Sequence, residues 1–253
     1  MGTDLRVHGG GEGEPLLLLL HGLGATGEFW AGWPGLLSRH WPGRWLAPDL
    51  PGHGGSPPLP EYTFDALATA LLPILTPQDR PVVLGHSLGG VVALALAAQA
   101  PVTAVVGLGV KVTWSADDLD RAAALAQRPV AWFDTREQAI ERHLRVSGLA
   151  GLVTADSPMA TSGVREEAGR WRLALDPGAF GVGAPDMAAL LEHSNTPVCL
   201  ARGEDDQMNT DDQLKQFGVR VVTLPGLGHN AHVQSPARCL PLLDRLTGGA
   251  TSR

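Results

Sequence analysis

Short apolar runs recur along the chain, each closed by glycine, proline or charge, with amphipathic or alanine-rich stretches between them. The runs at 16–20 (LLLLL), 82–84 (VVL), 104–110 (AVVGLGV) and 198–202 (VCLAR) are the pattern of strands buried on both faces. Weaker strand candidates lie at 5–8, 44–47 and 219–224. Between them, helices are expected at 28–40, carrying Trp30, Trp33, Leu36 and Leu37, and at 63–72, where Leu67, Leu71 and Leu75 fall on one stripe. Further helices are expected at 91–98, near 211–217 and at 236–246. Strands alternating with helices at this spacing predict an α/β fold, a mostly parallel twisted sheet with helices on both faces.

The alternation breaks after Val112. From Trp114 to Glu192 the pattern gives helical stretches at 117–127, 136–146 and 187–192 and no convincing strand. This segment is too long for a connecting loop. It predicts an inserted helical cap over 112–191, with residues 1–111 and 192–253 forming the core domain and a frayed tail at 247–253.

Composition narrows the class. The 253 residues are 44% hydrophobic and 18% charged, an ordinary globular balance. A net charge of −7 argues against a nucleic-acid partner and gives no reason to expect an anionic membrane surface. Cys199 and Cys239 have no metal-type spacing and read as small buried hydrophobes, with a disulfide between them left open. The run at 16–20 is preceded by Glu12 and Glu14 and not by a basic segment, so no signal peptide is read, and a cytoplasmic protein is the expectation.

The chemistry concentrates at 81–90, PVVLGHSLGG, which is G-x-S-x-G between a strand and a helix. Such a turn holds Ser87 exposed, and the helix after it points N–H groups at any oxyanion formed there. A base and an orienting acid appear at two other strand ends: Gly203-Glu204-Asp205-Asp206 after the run at 198–202, and Gly228-His229 after the run at 219–224. In a parallel sheet these loops share one carboxyl edge. Blander readings stay open for each residue alone. The acids suit a turn, His229 and His53 suit loop positions, and tryptophans such as Trp114, Trp132 and Trp171 pack cores more often than they touch substrates.

Taken together, His21-Gly22-Leu23-Gly24, Asp49-Leu50-Pro51-Gly52-His53-Gly54, Gly85-His86-Ser87-Leu88-Gly89-Gly90, Gly203-Glu204-Asp205-Asp206 and Gly228-His229 resemble the α/β-hydrolase superfamily, in its chain order and over most of the length. The resemblance implies Ser87 as nucleophile, His229 as base and Asp206 as acid, with Asp205 as the fallback. It implies the N–H groups of Leu23 and Leu88 as the oxyanion hole. His21, Gly22, His86, Trp114, Trp132 and Trp171 are the expected pocket residues. The opening hairpin of the family is shortened here, which leaves the strand count open. The implied activity is cleavage of a small to medium, partly apolar ester, thioester or lactone through an acyl-enzyme, without metal or organic cofactor. Hydrolysis of a carbon–carbon bond in a diketone and a ligand receptor that retains the triad are the alternatives, and Asn230 after His229 weighs slightly against the first. A competing fingerprint, Gly22-Leu23-Gly24-Ala25-Thr26-Gly27 with Asp49 downstream, matches dinucleotide binding. It is set aside because it leaves the serine elbow and the Gly228-His229 loop unexplained.

Overall fold

The computed structural model describes residues 4–244. In chain order the elements are β1 (Val7–Gly10), β2 (Leu17–Leu20), α1 (Pro34–His40), β3 (Trp45–Pro48), α2 (Phe64–Thr69), β4 (Val82–His86), α3 (Leu88–Gln99), β5 (Ala104–Leu108), α4 (Ala116–Ala126), β6 (Trp132–Phe133), α5 (Arg136–Val146), α6 (Pro158–Thr161), β7 (Val164–Glu167), β8 (Arg170–Leu173), α7 (Met187–His193), β9 (Val198–Gly203), α8 (Asp211–Lys215), β10 (Arg220–Leu224), α9 (Ala231–Gln234), α10 (Pro236–Cys239) and α11 (Pro241–Asp244). One sheet of seven strands runs β1-β3-β2-β4-β5-β9-β10. Every neighbouring pair is parallel except β1 on β3. The shortened opening hairpin therefore leaves one antiparallel edge strand, two residues later than the sequence pattern places it.

Burial explains why the central runs read so clearly. Leu17–Leu20 and Val82–His86 are buried at every position, as strands covered on both faces must be. One layer buries Leu18, Leu20 and Val83 against α3, whose residues from Leu88 to Leu96 are all buried. The other buries Leu17, Leu19 and Val82 against Trp30, Trp33 and Leu37. The helix expected over 28–40 is broken in two. A 3-10 turn covers Gly27–Trp30, and α1 starts only at Pro34, which has no N–H to continue a helix but suits its first position. Likewise the helix at 63–72 ends at Thr69, and a 3-10 turn follows over Leu72–Ile74. Pro236 opens the C-terminal helix, and Pro241 splits it into α10 and α11. The tail expected to fray at 247–253 lies outside the described residues. Cys199 and Cys239 are both buried, with no disulfide between them. No helix among the described residues is long and apolar enough to cross a membrane.

The chain between β5 and β9, two adjacent strands of the sheet, forms an insertion. It is not purely helical, which corrects the sequence reading: β6, β8 and β7 make an antiparallel sheet of three strands. The strands β7 (VREE) and β8 (RWRL) are largely charged and carry no apolar run to betray them. Their turn is Ala168-Gly169, both with positive φ, the backbone of a two-residue hairpin whose twist matches the flanking strands. A small core of Ala139, Ile140, Ala160 and Val164 holds this unit together. The last helix of the expected cap, α7, packs elsewhere, with Met187 buried in the cluster centred on α3.

Candidate active site

The loops after β2, β4, β5, β9 and β10 meet at the carboxyl edge of the sheet. Ser87 follows β4 with φ 51° and ψ −116°, a conformation that a non-glycine residue adopts only when its surroundings impose it. What imposes it is close backbone packing. A Cβ on Gly85 would run into the carbonyl oxygen of Gly89, and one on Gly89 into that of Leu20. Only glycine at both positions lets α3 press onto the strand ends. Ser87 is the N-cap of α3, yet its side chain makes no capping bond. Leu88 is the first helical residue, so its N–H has no acceptor within the helix.

The expected base and the expected acid are joined. His229 Nδ1 lies 3.0 Å from Asp206 Oδ2. The Asp206 side chain is fully buried, and that of His229 is 26% exposed. Asp206 is fixed on its other sides: its Oδ1 accepts from the Met208 N–H at 2.9 Å, and its carbonyl accepts from Arg202 at 3.0 Å. Asp205 is exposed, and its N–H donates to the Leu227 carbonyl. Of the two candidate acids, Asp206 is the one that meets His229. The elbow and the pair converge on the end of β5. The Ser87 N–H donates to the Leu108 carbonyl at 2.8 Å, and the next residue, Gly109, has space for a Cβ only 3.1 Å from His229 Nδ1 and 3.4 Å from Asp206 Oδ2. Gly22 is just as close to the serine, with 3.2 Å between its notional Cβ and that of Ser87.

Histidines pack behind this edge. His21 is fully buried; its Nε2 accepts from the Leu50 N–H at 2.8 Å, so Nδ1 carries the proton and donates to the Gly22 carbonyl at 2.8 Å. His86, also buried, donates from Nε2 to the His229 carbonyl at 3.0 Å. Burial holds His21 down to about 4 and His232 to about 3, and holds His86 well below its usual value, so all three stay neutral near pH 7. His21 and His86 are therefore not the expected pocket walls but braces, one for the loop after β2 and one for the backbone of His229. His53 is fully buried as well, held by the Pro51 carbonyl, and pairs with Leu175 of the insertion across an isolated bridge.

The tryptophans are not brought to Ser87. Trp171 packs against the insertion's own core. Trp132 is 38% exposed on β6 with the Arg172 guanidinium 5.7 Å from its ring. Trp114 lies under Lys111, whose carbonyl takes its indole N–H. The dinucleotide reading fails on geometry. The Asp49 carboxylate is buried and occupied by the N–H groups of Gly27 and Gly55, and only a four-residue 3-10 turn follows the glycine loop.

The roles of three residues escaped the sequence reading. Gly109 is one; a glycine at a strand end beside the elbow was the signal available. Asn209 is buried and clamps the acid loop to the chain after β5, accepting from the Val112 N–H and donating to the Val110 carbonyl. Asn230 is buried and donates to the carbonyls of Ser147 and Gly148, tying the histidine loop to the end of α5. Nothing in either local sequence points to such long-range partners.

The family model described as alpha/beta hydrolase family matches residues 17–242. The chain is 30% identical over 241 residues to 2-succinyl-6-hydroxy-2,4-cyclohexadiene-1-carboxylate synthase of Pectobacterium atrosepticum, covering 88% of this chain and 90% of the relative. It is 37% identical over 162 residues to the lipase LipV of Mycobacterium tuberculosis, covering 56% and 60%. Among solved structures, E-2-(acetamidomethylene)succinate hydrolase superposes with a TM-score of 0.80 over 97% of this chain and 95% of that one, at 23% identity, a likeness of fold.

Proposed function

The chain belongs to the alpha/beta hydrolase family and is a hydrolase; from that premise we propose that it is a serine hydrolase, cleaving an ester, thioester or lactone of a small to medium, partly apolar substrate through an acyl-enzyme. The observation that carries this reading is the strained Ser87 at one strand end with the His229–Asp206 pair gathered beside it at the same edge. In this reading His229 takes the proton of Ser87 through Nε2 while Asp206 holds the proton on Nδ1 and stabilises the imidazolium. Ser87 attacks the carbonyl carbon. The N–H groups of Leu23 and Leu88 receive the oxyanion, each worth about 3 kcal/mol of barrier. His229 then protonates the leaving group and later draws a proton from the water that releases the acid.

Support also comes from what surrounds the pair. Asp206 and His229 open onto a surface depression of about 380 Å³, which gives water and leaving group a route. The buried neutral histidines behind it add no competing charge. We read the insertion as a cap beside this edge, tied to the core by backbone bonds from Gly54 to Ala174 and from Asp176 to Gly52, and by Tyr62 to Asp176 at 2.8 Å.

The test is turnover of chromogenic esters of rising acyl length by the wild type and by Ser87→Ala. The expected loss is about 10⁶ in kcat if the three residues act as a unit. Turnover that survives in the variant overturns the assignment. A diketone arm of the same panel separates ester hydrolysis from carbon–carbon cleavage, and near-stoichiometric release of product would mark a receptor.

A further inference from the structure

The insertion encloses a cavity of about 140 Å³ between the end of α4, α5, β8 and the turn over Pro177–Val182. Its walls are apolar, made by Leu125, Val146, Leu173, Leu175 and Phe180. Its inner end meets the loop after β2: a Cβ on Gly24 would lie 3.0 Å from Val146 and 3.9 Å from Leu175. Gly24 follows Leu23. Leu23 and Leu88 belong to the same apolar cluster as Val146, Leu173, Leu175 and Phe180.

The remaining wall is cationic. Arg142 sits one turn before Val146 on the same face of α5, about 6 Å further along the axis. Arg128 enters from the loop after α4. Elsewhere in the insertion Arg121, Arg145, Arg165, Arg170 and Arg172 each lie within ion-pair distance of a carboxylate, and the Arg136 guanidinium lies over the Trp171 ring at 5.8 Å. Arg128 and Arg142 have neither an ion pair nor a side-chain hydrogen bond among the described residues, in a chain whose net charge is −7 and which has carboxylates to spare. Two unpaired guanidinium groups at the far end of an apolar cavity are an arrangement for an anion on an apolar stem. The guanidinium fork matches the planar two-oxygen head of a carboxylate.

We propose that this cavity binds an apolar acyl chain ending in a carboxylate, with Arg128 and Arg142 gripping the terminal group while the carbonyl to be cleaved lies at Ser87. The substrate class is then an ester or thioester of a dicarboxylic acid. The inference rests on the hydrolase reading of Ser87 given above.

The experiment compares kcat/KM for the mono-p-nitrophenyl ester of adipic acid and for p-nitrophenyl hexanoate, which have acyl chains of equal length. The wild type is expected to favour the carboxylate-bearing ester by at least about tenfold, the effect of one hydrogen-bonded charge pair. That ratio should fall towards one in Arg142→Gln and in the Arg128→Gln/Arg142→Gln double variant, survive in part in Arg142→Lys, and shrink as salt rises. A wild-type ratio near one, or a preference that persists in the double variant, overturns the proposal. If the wild type cleaves neither ester, the ester reading of Ser87 fails separately. The cavity is then judged by calorimetric binding of monomethyl adipate against methyl hexanoate to the wild type and the double variant. Tighter binding of the carboxylate by the wild type alone supports the proposal, and equal binding overturns it.

Discussion

The sheet edge that holds Ser87 and the insertion beside it are built on opposite principles. At the edge, backbones touch. Gly85, Gly89 and Gly22 have no room for a Cβ, Gly109 lies tight against His229, and the histidines behind them are buried. In the insertion, α4 buries none of its residues, four small side chains make the core, and ion pairs lace the surface. The difference teaches where each kind of function can reside. A reacting group must be held to within a fraction of an ångström, which close packing provides. A surface of loosely packed helices and a short hairpin can change its side chains at little cost to stability, which suits it to selecting a substrate.

Position within the packed edge should matter most at Asp206. Asp206→Asn should lower kcat by about 10⁴, because the amide fixes the wrong tautomer of His229. Asp205→Asn, one residue away and exposed, should change kcat less than about twofold. Equal effects would mean that position within the packed edge does not matter.

Acid sharpens the contrast next. His21, His53, His86 and His232 at the edge are neutral and buried, and His143 is alone in the insertion, where burial holds it to about 4. Their folded values are lowered, so the unfolded chain binds more protons below about pH 6.5. Stability is then full above about pH 6.5 and lost as pH falls towards the folded values of about 3 to 4. Each histidine contributes up to about 1.4 kcal/mol per pH unit within that window. Thermal denaturation between pH 7 and 4 should show a steep fall in Tm, and His143→Gln should flatten it far less than replacement of the four edge histidines together. A Tm independent of pH over this range would show that they are not buried neutral.

The tie between the two regions gives a smaller effect. Asn230→Ala removes two donors to the end of α5 and should cost about 1–3 kcal/mol of stability. If the tie also aligns the cavity with Ser87, KM for a long acyl ester should rise more than KM for acetate. A uniform loss in kcat would place the effect on His229 instead.

The smallest effect is expected at Trp132, exposed on its strand. Trp132→Ala should shift stability by less than about 0.5 kcal/mol and leave the long-to-short ester ratio unchanged, as kinetics on the two esters would show. Trp171→Ala should lower stability through lost packing, again with the ratio unchanged. A shifted ratio in either variant would put these rings against the substrate after all.

The same contrast decides what the sequence could reveal. Val82-Val83-Leu84, Gly85 and Ser87 were legible because a strand buried on both faces and a glycine-held turn each leave a local signature. The partner of His229 was legible to within two residues, since both Asp205 and Asp206 fit the loop; burial and a 3.0 Å contact, which no sequence carries, separate them. The sheet of β6, β7 and β8 was not legible, because VREE and RWRL are largely charged and pair through their backbones, with only Val164, Trp171 and Leu173 turned to the insertion's core. Only the Ala168-Gly169 turn hinted at it. His21 and His86 were found as residues of the site but misread as walls. Their role depends on partners at Leu50 and at His229, too distant in the chain for any local pattern to show.

The central claim is that Ser87 is the group that becomes acylated. The most direct measurement is intact-mass and peptide mass spectrometry after exposure to a fluorophosphonate. A single adduct per chain is predicted, carried by the peptide containing Ser87, formed far more slowly in Asp206→Asn and absent in Ser87→Ala. An adduct on another residue, or labelling of Ser87→Ala at the wild-type rate, would contradict the account.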